Sequence, residues 1–226
     1  FRSMKGIDIS HYQNEAGRID WEKVKASEYK FCFVKCTEGV SYRDRFYQEN
    51  KENVRKAGLL FGAYHFARLN DAEKEADHFL ATVGDLKAGE IVVLDFEVDG
   101  HSDPVGWCLK WLKRVEEKLG FRPMLYTNEA RVKAFNWKRV VDGNFGLWVA
   151  KYASQVVYIP EYLQRKPVSG QWPFWAIWQF SSRARVSGMV GNIDVNTTEM
   201  DIETLRKYGK QAPVEVCKKC CPIHCK

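Results

Sequence analysis

The segment Val92-Val93-Leu94-Asp95-Phe96-Glu97-Val98-Asp99 puts acids into an apolar run that has no structural use for them, because an unpaired buried carboxylate is costly. Residues i and i+2 of a strand share a face, with Cβ atoms about 7 Å apart. Asp95 and Glu97 therefore point into the same space. Two like charges in one cleft push one pKa upward and keep that group protonated. A protonated carboxyl beside an ionised one is what hydrolysis of a glycosidic bond needs. The alternative is that such acids cap the next helix or pair with Arg or Lys, a role that suits Asp99 and Asp103 better.

Two more acids end comparable runs: Asp8 in Gly6-Ile7-Asp8-Ile9-Ser10 and Asp194 in Gly191-Asn192-Ile193-Asp194-Val195-Asn196. Each alone reads equally well as a turn residue. Closure of a barrel would bring the first and last strands together and unite them with Asp95 and Glu97.

The elements that must position these acids are short, apolar and rich in β-branched residues: Lys5–Ile9, Phe31–Cys36, Leu60–Ala67, Ile91–Phe96, Pro123–Thr127, Gly146–Ala150, Trp175–Phe180 and Asn192–Val195. Such runs fit strands buried on both faces, as in a parallel sheet. Helical periodicity appears at 44–57, stopped by Gly58, and at 71–83. It is clearest at 104–119, where Asp103 can cap and Pro104 takes the first turn. The rhythm then breaks. Residues 151–174 hold Pro160, Pro167, Gly170 and Pro173, leaving room only for a short helix near Glu161–Arg165, and a last helix fits 200–208. The expected class is α/β: an irregular TIM-like (β/α) barrel with fewer than eight helices, its last strands joined by loops.

Composition narrows the function. The net charge is +6, and the 210–226 segment supplies much of it with four Lys against one Glu. No basic stripe with interleaved aromatics appears, so the reading includes no nucleic acid. No apolar run reaches membrane-spanning length, so it includes no membrane insertion. Eight Trp, ten Tyr and thirteen Phe suit a cleft that stacks on sugars, or simply a Trp-rich core. Cys32 and Cys36 lie about 13 Å apart along a strand, too far for a disulfide. Cys108 is isolated, and the body of the chain reads as reduced. In Tyr64-His65-Phe66 the histidine faces opposite to both aromatics and reads as a satisfied core residue. His11 and His101 have no companions at ligand spacing.

The motifs, taken in order, resemble those of glycoside hydrolase family 25, the Chalaropsis-type lysozymes and many phage endolysins. They are Gly6-Ile7-Asp8-Ile9-Ser10-His11-Tyr12-Gln13, Phe33-Val34-Lys35-Cys36-Thr37-Glu38-Gly39, Gly62-Ala63-Tyr64-His65-Phe66-Ala67, Asp95-Phe96-Glu97, Leu125-Tyr126-Thr127-Asn128, Leu147-Trp148-Val149-Ala150, Trp178-Gln179-Phe180 and Asp194-Val195-Asn196. Cys36 stands where a small residue would be expected. The resemblance implies a muramidase that cuts peptidoglycan between N-acetylmuramic acid and N-acetylglucosamine. It implies Glu97 as general acid, Asp95, Asp8 and Asp194 as the acidic cluster around it, and Tyr64, Tyr126, Trp148 and Gln179 along the groove. A retaining route assisted by the substrate's own acetamido group follows from the same comparison, with no cofactor and no metal.

The organisation expected is a foreign lead-in at 1–4 ending in the start Met4, a catalytic barrel at 5–209, and a Cys/Lys-rich tail or linker at 210–226. The tail's Cys217, Cys220, Cys221, His224 and Cys225 match metal-ligand spacing, but a single cluster without a partner segment is a weak signal. No secretory signal opens the chain. The expected life history is synthesis in the cytoplasm and action on the bacterial wall, endolysin-like or after processing, with room for a wall-binding domain beyond 226. Two other readings compete: a metal-dependent barrel hydrolase with the four acids as ligands, and a non-catalytic wall-binding module. The first lacks a basic phosphate clamp and paired histidines, and the second leaves four intact acids without a purpose.

Overall fold

Eight strands close into a barrel in the computed structural model, which describes residues 3–213. They are β1 (Met4–Ile9), β2 (Tyr29–Glu38), β4 (Leu60–Phe66), β5 (Ile91–Asp95), β6 (Met124–Asn128), β7 (Leu147–Ala150), β8 (Ile177–Ala184) and β9 (Ile193–Thr198). The two-residue β3 (Tyr42–Arg43) only flanks the end of β2. The order runs β1-β9-β8-β7-β6-β5-β4-β2, and a β1–β2 pairing seals the ring. Each of the eight runs picked out from the sequence falls on one of these strands.

Two features of the expected class are overturned. The sheet is mixed: β9 lies antiparallel to both β8 and β1, so the barrel is not a TIM-like parallel one. The chain also forms eight α-helices among the described residues, not fewer. Besides α3 (Tyr47–Lys56), α4 (Ala72–Val83) and α5 (Pro104–Leu119) there are α1 (His11–Ala16), α2 (Trp21–Ala26), α6 (Glu129–Ala134), α7 (Lys138–Asp142) and α8 (Ile202–Arg206). These five span five or six residues each, too short to show an apolar period, and side-chain caps hold four of them. Ser10 forms a capping box with Gln13, and Asp20, Asn128 and Asp201 each accept a backbone N–H, satisfying donors a helix start leaves free. The 3-10 turn Glu161–Leu163 is all that forms between β7 and β8.

Strand alternation separates two apolar layers. Phe31, Phe33, Ile91, Val93, Met124, Tyr126, Trp148 and Ile177 fill the barrel, with Leu205 of α8 packed against them. Their strand neighbours Cys32, Val34, Val92, Leu94, Leu125, Val149 and Trp178 face outward to the helices. The interior is tight: a Cβ on Gly6 would stand 2.2 Å from the Phe31 ring, and one on Gly62 the same distance from Phe33. Aromatic fill of this density leaves the acids a place at the end of the barrel where the parallel strands finish.

Cys32, Cys36 and Cys108 are buried and unbonded, and no helix among the described residues is long and apolar enough to cross a membrane. The Cys217–Cys225 cluster and residues 1–2 of the lead-in lie outside the described residues.

Candidate active site

The four acids singled out from the sequence meet at that end. Asp8 sits on β1 and stands directly opposite Asp194 of β9 in the antiparallel register. Asp95 closes β5, between Phe66 of β4 and Tyr126 of β6. Glu97 lies two residues beyond and is exposed at the rim, whereas Asp8 and Asp95 are buried.

The backbone around Asp95 is fixed from three sides. Ala67 N donates to Asp95 O at 2.9 Å, Phe96 N to Tyr126 O at 2.9 Å, and Thr127 Oγ1 to Phe96 O at 2.8 Å. Arg131 of α6 then fastens the exit from the strand, donating through Nη2 to the Glu97 carbonyl and to Asp99 Oδ1 at 2.8 Å. Asp99 is thus an ion-pair residue. Asp103 caps α5 through Gly106 N at 2.9 Å and pairs with Arg139 at 2.8 Å.

Asp8 is the best anchored of the four. Its Oδ2 accepts the side-chain amides of Gln179 and Asn196, each at 2.8 Å. Asn196 in turn accepts the Trp148 indole N–H at 2.8 Å. Gln179 accepts the hydroxyls of Tyr126, at 2.7 Å, and Tyr152. Tyr126, Trp148 and Gln179, expected along the groove, are buried and joined in this hydrogen-bond network. Tyr64 is the one of that set that reaches the surface, its hydroxyl donating to Ile9 O at 3.3 Å.

Burial sets the electrostatics. Loss of water raises the Asp8 carboxyl to about 6, against the lowering effect of its two amide donors. Burial and then the neighbouring Glu97 charge push Asp95 well above the usual carboxylate range. Burial and the Asp8 charge do the same to Asp194. Asp8 and Asp194 are register partners across the β1–β9 seam, and Asp95 and Glu97 stand two residues apart. Asp95 Oδ1 is buried with no hydrogen-bond donor on it. One cation lies beside the cluster: Lys35 of β2 is buried, pairs with Glu38 at 2.6 Å and lowers Asp95 somewhat.

The histidines are elsewhere. His65 is on the outer layer, held by Thr37 and Glu75 at 2.8 Å each and stacked on Trp111. His11 contacts Asp44 at 3.0 Å, and His101 accepts the Asp103 amide at 2.9 Å. Among the described residues no three His, Cys, Asp or Glu side chains are grouped as metal ligands.

Sequence reasoning missed Asn196, Lys35, Tyr152 and Arg131. A signal existed for two: Asn196 is i+2 from Asp194 and shares its face, and Lys35 has the inward parity of Phe31 and Phe33. Tyr152 and Arg131 lie outside the strands, where no periodicity points to a face.

Comparison with known proteins gives one consistent picture. The model of glycosyl hydrolases family 25 matches residues 7–189. The autolytic lysozyme of Clostridium acetobutylicum is 39% identical over 223 residues, covering 91% of this chain and 67% of that one. Lysozyme M1 of Streptomyces globisporus is 31% identical over 207 residues, 85% of this chain and 67% of the relative. The crystal structure of a bacterial lysozyme from Streptomyces coelicolor superposes with a TM-score of 0.73 at 27% identity, covering 93% of this chain and 99% of that structure.

Proposed function

The chain belongs to glycosyl hydrolases family 25, as a lysozyme that hydrolyses peptidoglycan, and we propose that Glu97 and Asp95 divide its chemistry with the substrate's own acetamido group. The bond cut is the β-1,4 link from N-acetylmuramic acid to N-acetylglucosamine.

The observation that carries this reading is the placement of Asp95, buried at the end of β5, with Glu97 two residues on at the exposed rim. Ordinary retaining and inverting glycosidases set two carboxyls on opposite sides of the anomeric carbon, roughly 5 Å or more apart. Two carboxyls two residues apart at one strand end approach the sugar from one side. Burial and like-charge repulsion favour keeping a proton at this site. Glu97, exposed at the rim, gives that proton to the leaving oxygen. Asp95, ionised while Glu97 holds the proton, accepts the acetamido N–H and steers the acetamido oxygen onto the anomeric carbon. Water opens the resulting ring intermediate, with Glu97 taking the water's proton. Asp8 and Asp194 supply the acidic surroundings in which positive charge at the anomeric carbon develops, and Tyr64 faces the bound sugar.

Residues 5–209 serve as the catalytic unit, synthesised in the cytoplasm and acting on the wall. A further wall-binding domain past residue 226 would raise avidity for the polymer. The deciding experiment is digestion of purified peptidoglycan with mass analysis of the new reducing ends. Muramic acid at those ends supports the reading; glucosamine ends or no cleavage defeats it.

A further inference from the structure

The barrel wall also has an outside, and between β7 and β8 no α-helix covers it. The loop 151–176 with its single 3-10 turn lies there instead, and it leaves a cavity of about 490 Å³, within the size range of small-molecule sites. Trp178 and Thr197, register partners across the β8–β9 seam, line it together with Trp175 and Tyr162. Their chain neighbours Gln179 and Asn196 face the other way and hold Asp8. The cavity is thus separated from the acids by one thickness of sheet.

Its chemistry is not that of a packing gap. Thr197 Oγ1 is buried and has no hydrogen-bond partner among the described residues. Glu161 Oε2 is also buried without a hydrogen-bond donor, with only the Lys5 ammonium at 3.4 Å. Buried polar atoms left unpaired are costly unless a ligand or water completes them. Beside them stand aromatic surfaces: Tyr162 is 76% exposed, and the half-buried Trp175 meets Trp178 edge to face at 6.1 Å. Water gains nothing from such rings, but a ligand with a flat apolar face does.

The ligand must then be apolar on its face, hydroxylated on its edge, and free of negative charge. An apolar peptide would leave Thr197 unpaired. An anion would meet Glu161 and Glu199, while Lys166, the one lining cation among the described residues, is already paired with Glu199. A pyranose ring meets all three requirements, and N-acetylglucosamine meets them better than muramic acid with its lactyl carboxylate. We propose that this cavity is a second saccharide site, which grips a glucosamine unit of the glycan at a distance from the cleft. The choice of glycan rests on the peptidoglycan reading above.

Titrating tetra-N-acetylchitotetraose onto nitrogen-labelled protein should shift the indole signals of Trp175 and Trp178. Tyr162→Ala removes an exposed ring and Thr197→Val is isosteric. Each should weaken that binding about three- to tenfold. Tyr162→Ala should slow turnover of insoluble wall by a similar factor and leave turnover of a short soluble glycan unchanged. A titration that perturbs only cleft residues such as Tyr64 overturns the site, and so does a Tyr162→Ala variant slowed equally on both substrates. If the unaltered protein shifts Trp175 but cuts no glycan, the saccharide site stands and the muramidase reading falls.

Discussion

Asn196 is wedged between Trp148 and Asp8, taking the indole N–H on its oxygen and giving its own amide to the carboxylate, both at 2.8 Å. The link transmits the rigidity of the aromatic core to an acid that burial disfavours. Ionisation of Asp8 therefore carries a stability cost that can be measured.

The Asp8 carboxyl rises from 3.8 to about 6 on folding. The native state holds more protons than the unfolded chain between those values, so stability falls as pH rises through that window. Asp8→Asn removes the charge and keeps an oxygen for both amide donors. It should stabilise the fold at about pH 7.5 by roughly 3 kcal/mol, with the advantage gone below about pH 4. Thermal melts across that range test this; a variant less stable at every pH would contradict it.

Glu97→Gln should abolish wall lysis and leave the fold intact, because the side chain is exposed and only its backbone carbonyl is held by Arg131. Loss of a positioned general acid costs about 10²–10⁴ in rate. Asp95→Asn should be comparably severe, since it removes the carboxylate beside the general acid. Near-normal turnover in either variant would refute the assignment.

The products should keep the anomeric configuration of the substrate, and glycans stripped of the 2-acetamido group should be cut poorly. An NMR time course in which the inverted anomer appears first would instead make Asp8 or Asp194 a base for water.

Activity should survive EDTA, since the acids are read here as proton carriers and acceptors. Inactivation by the chelator, reversed by a divalent cation, would favour the metal-dependent alternative.

A chain ending at Gly209 should stay active but lose stability. Lys210 exchanges backbone bonds with Gly89 and Glu90 at 2.7 and 2.9 Å, and its Nζ reaches Leu86 O at 2.9 Å. Losing these should cost about 1–3 kcal/mol, whereas a chain ending at Pro213 should melt like the parent. Equal melting of the two would show that the clamp contributes nothing.

The acids were legible because chemistry and burial conflict at them: Asp95 and Glu97 interrupt an apolar strand, and i, i+2 parity gives their common face. Parity also placed His65 outside, opposite to Tyr64 and Phe66. Strand direction was not legible, since a buried run such as Ile193–Thr198 looks alike in either sense, and so the reversal of β9 was missed. Depth along the barrel axis was equally hidden. Trp148 and Gln179 face inward, and nothing in the sequence showed that both are buried. The short helices escaped because five or six residues do not complete two turns, although Ser10, Asp20 and Asn128 were cap signals in plain view.

The reversed last strand has a practical corollary for anyone wishing to tether the protein. Because β9 runs back down the wall, α8 and Lys210 finish beside Gly89, just before β5 begins, and β1 starts at that same end. Both points are therefore on the floor of the barrel, and Met4 lies four residues, about 13 Å, from Asp8 along β1. A surface or tag coupled at Met4 or Lys210 would leave the mouth turned outward.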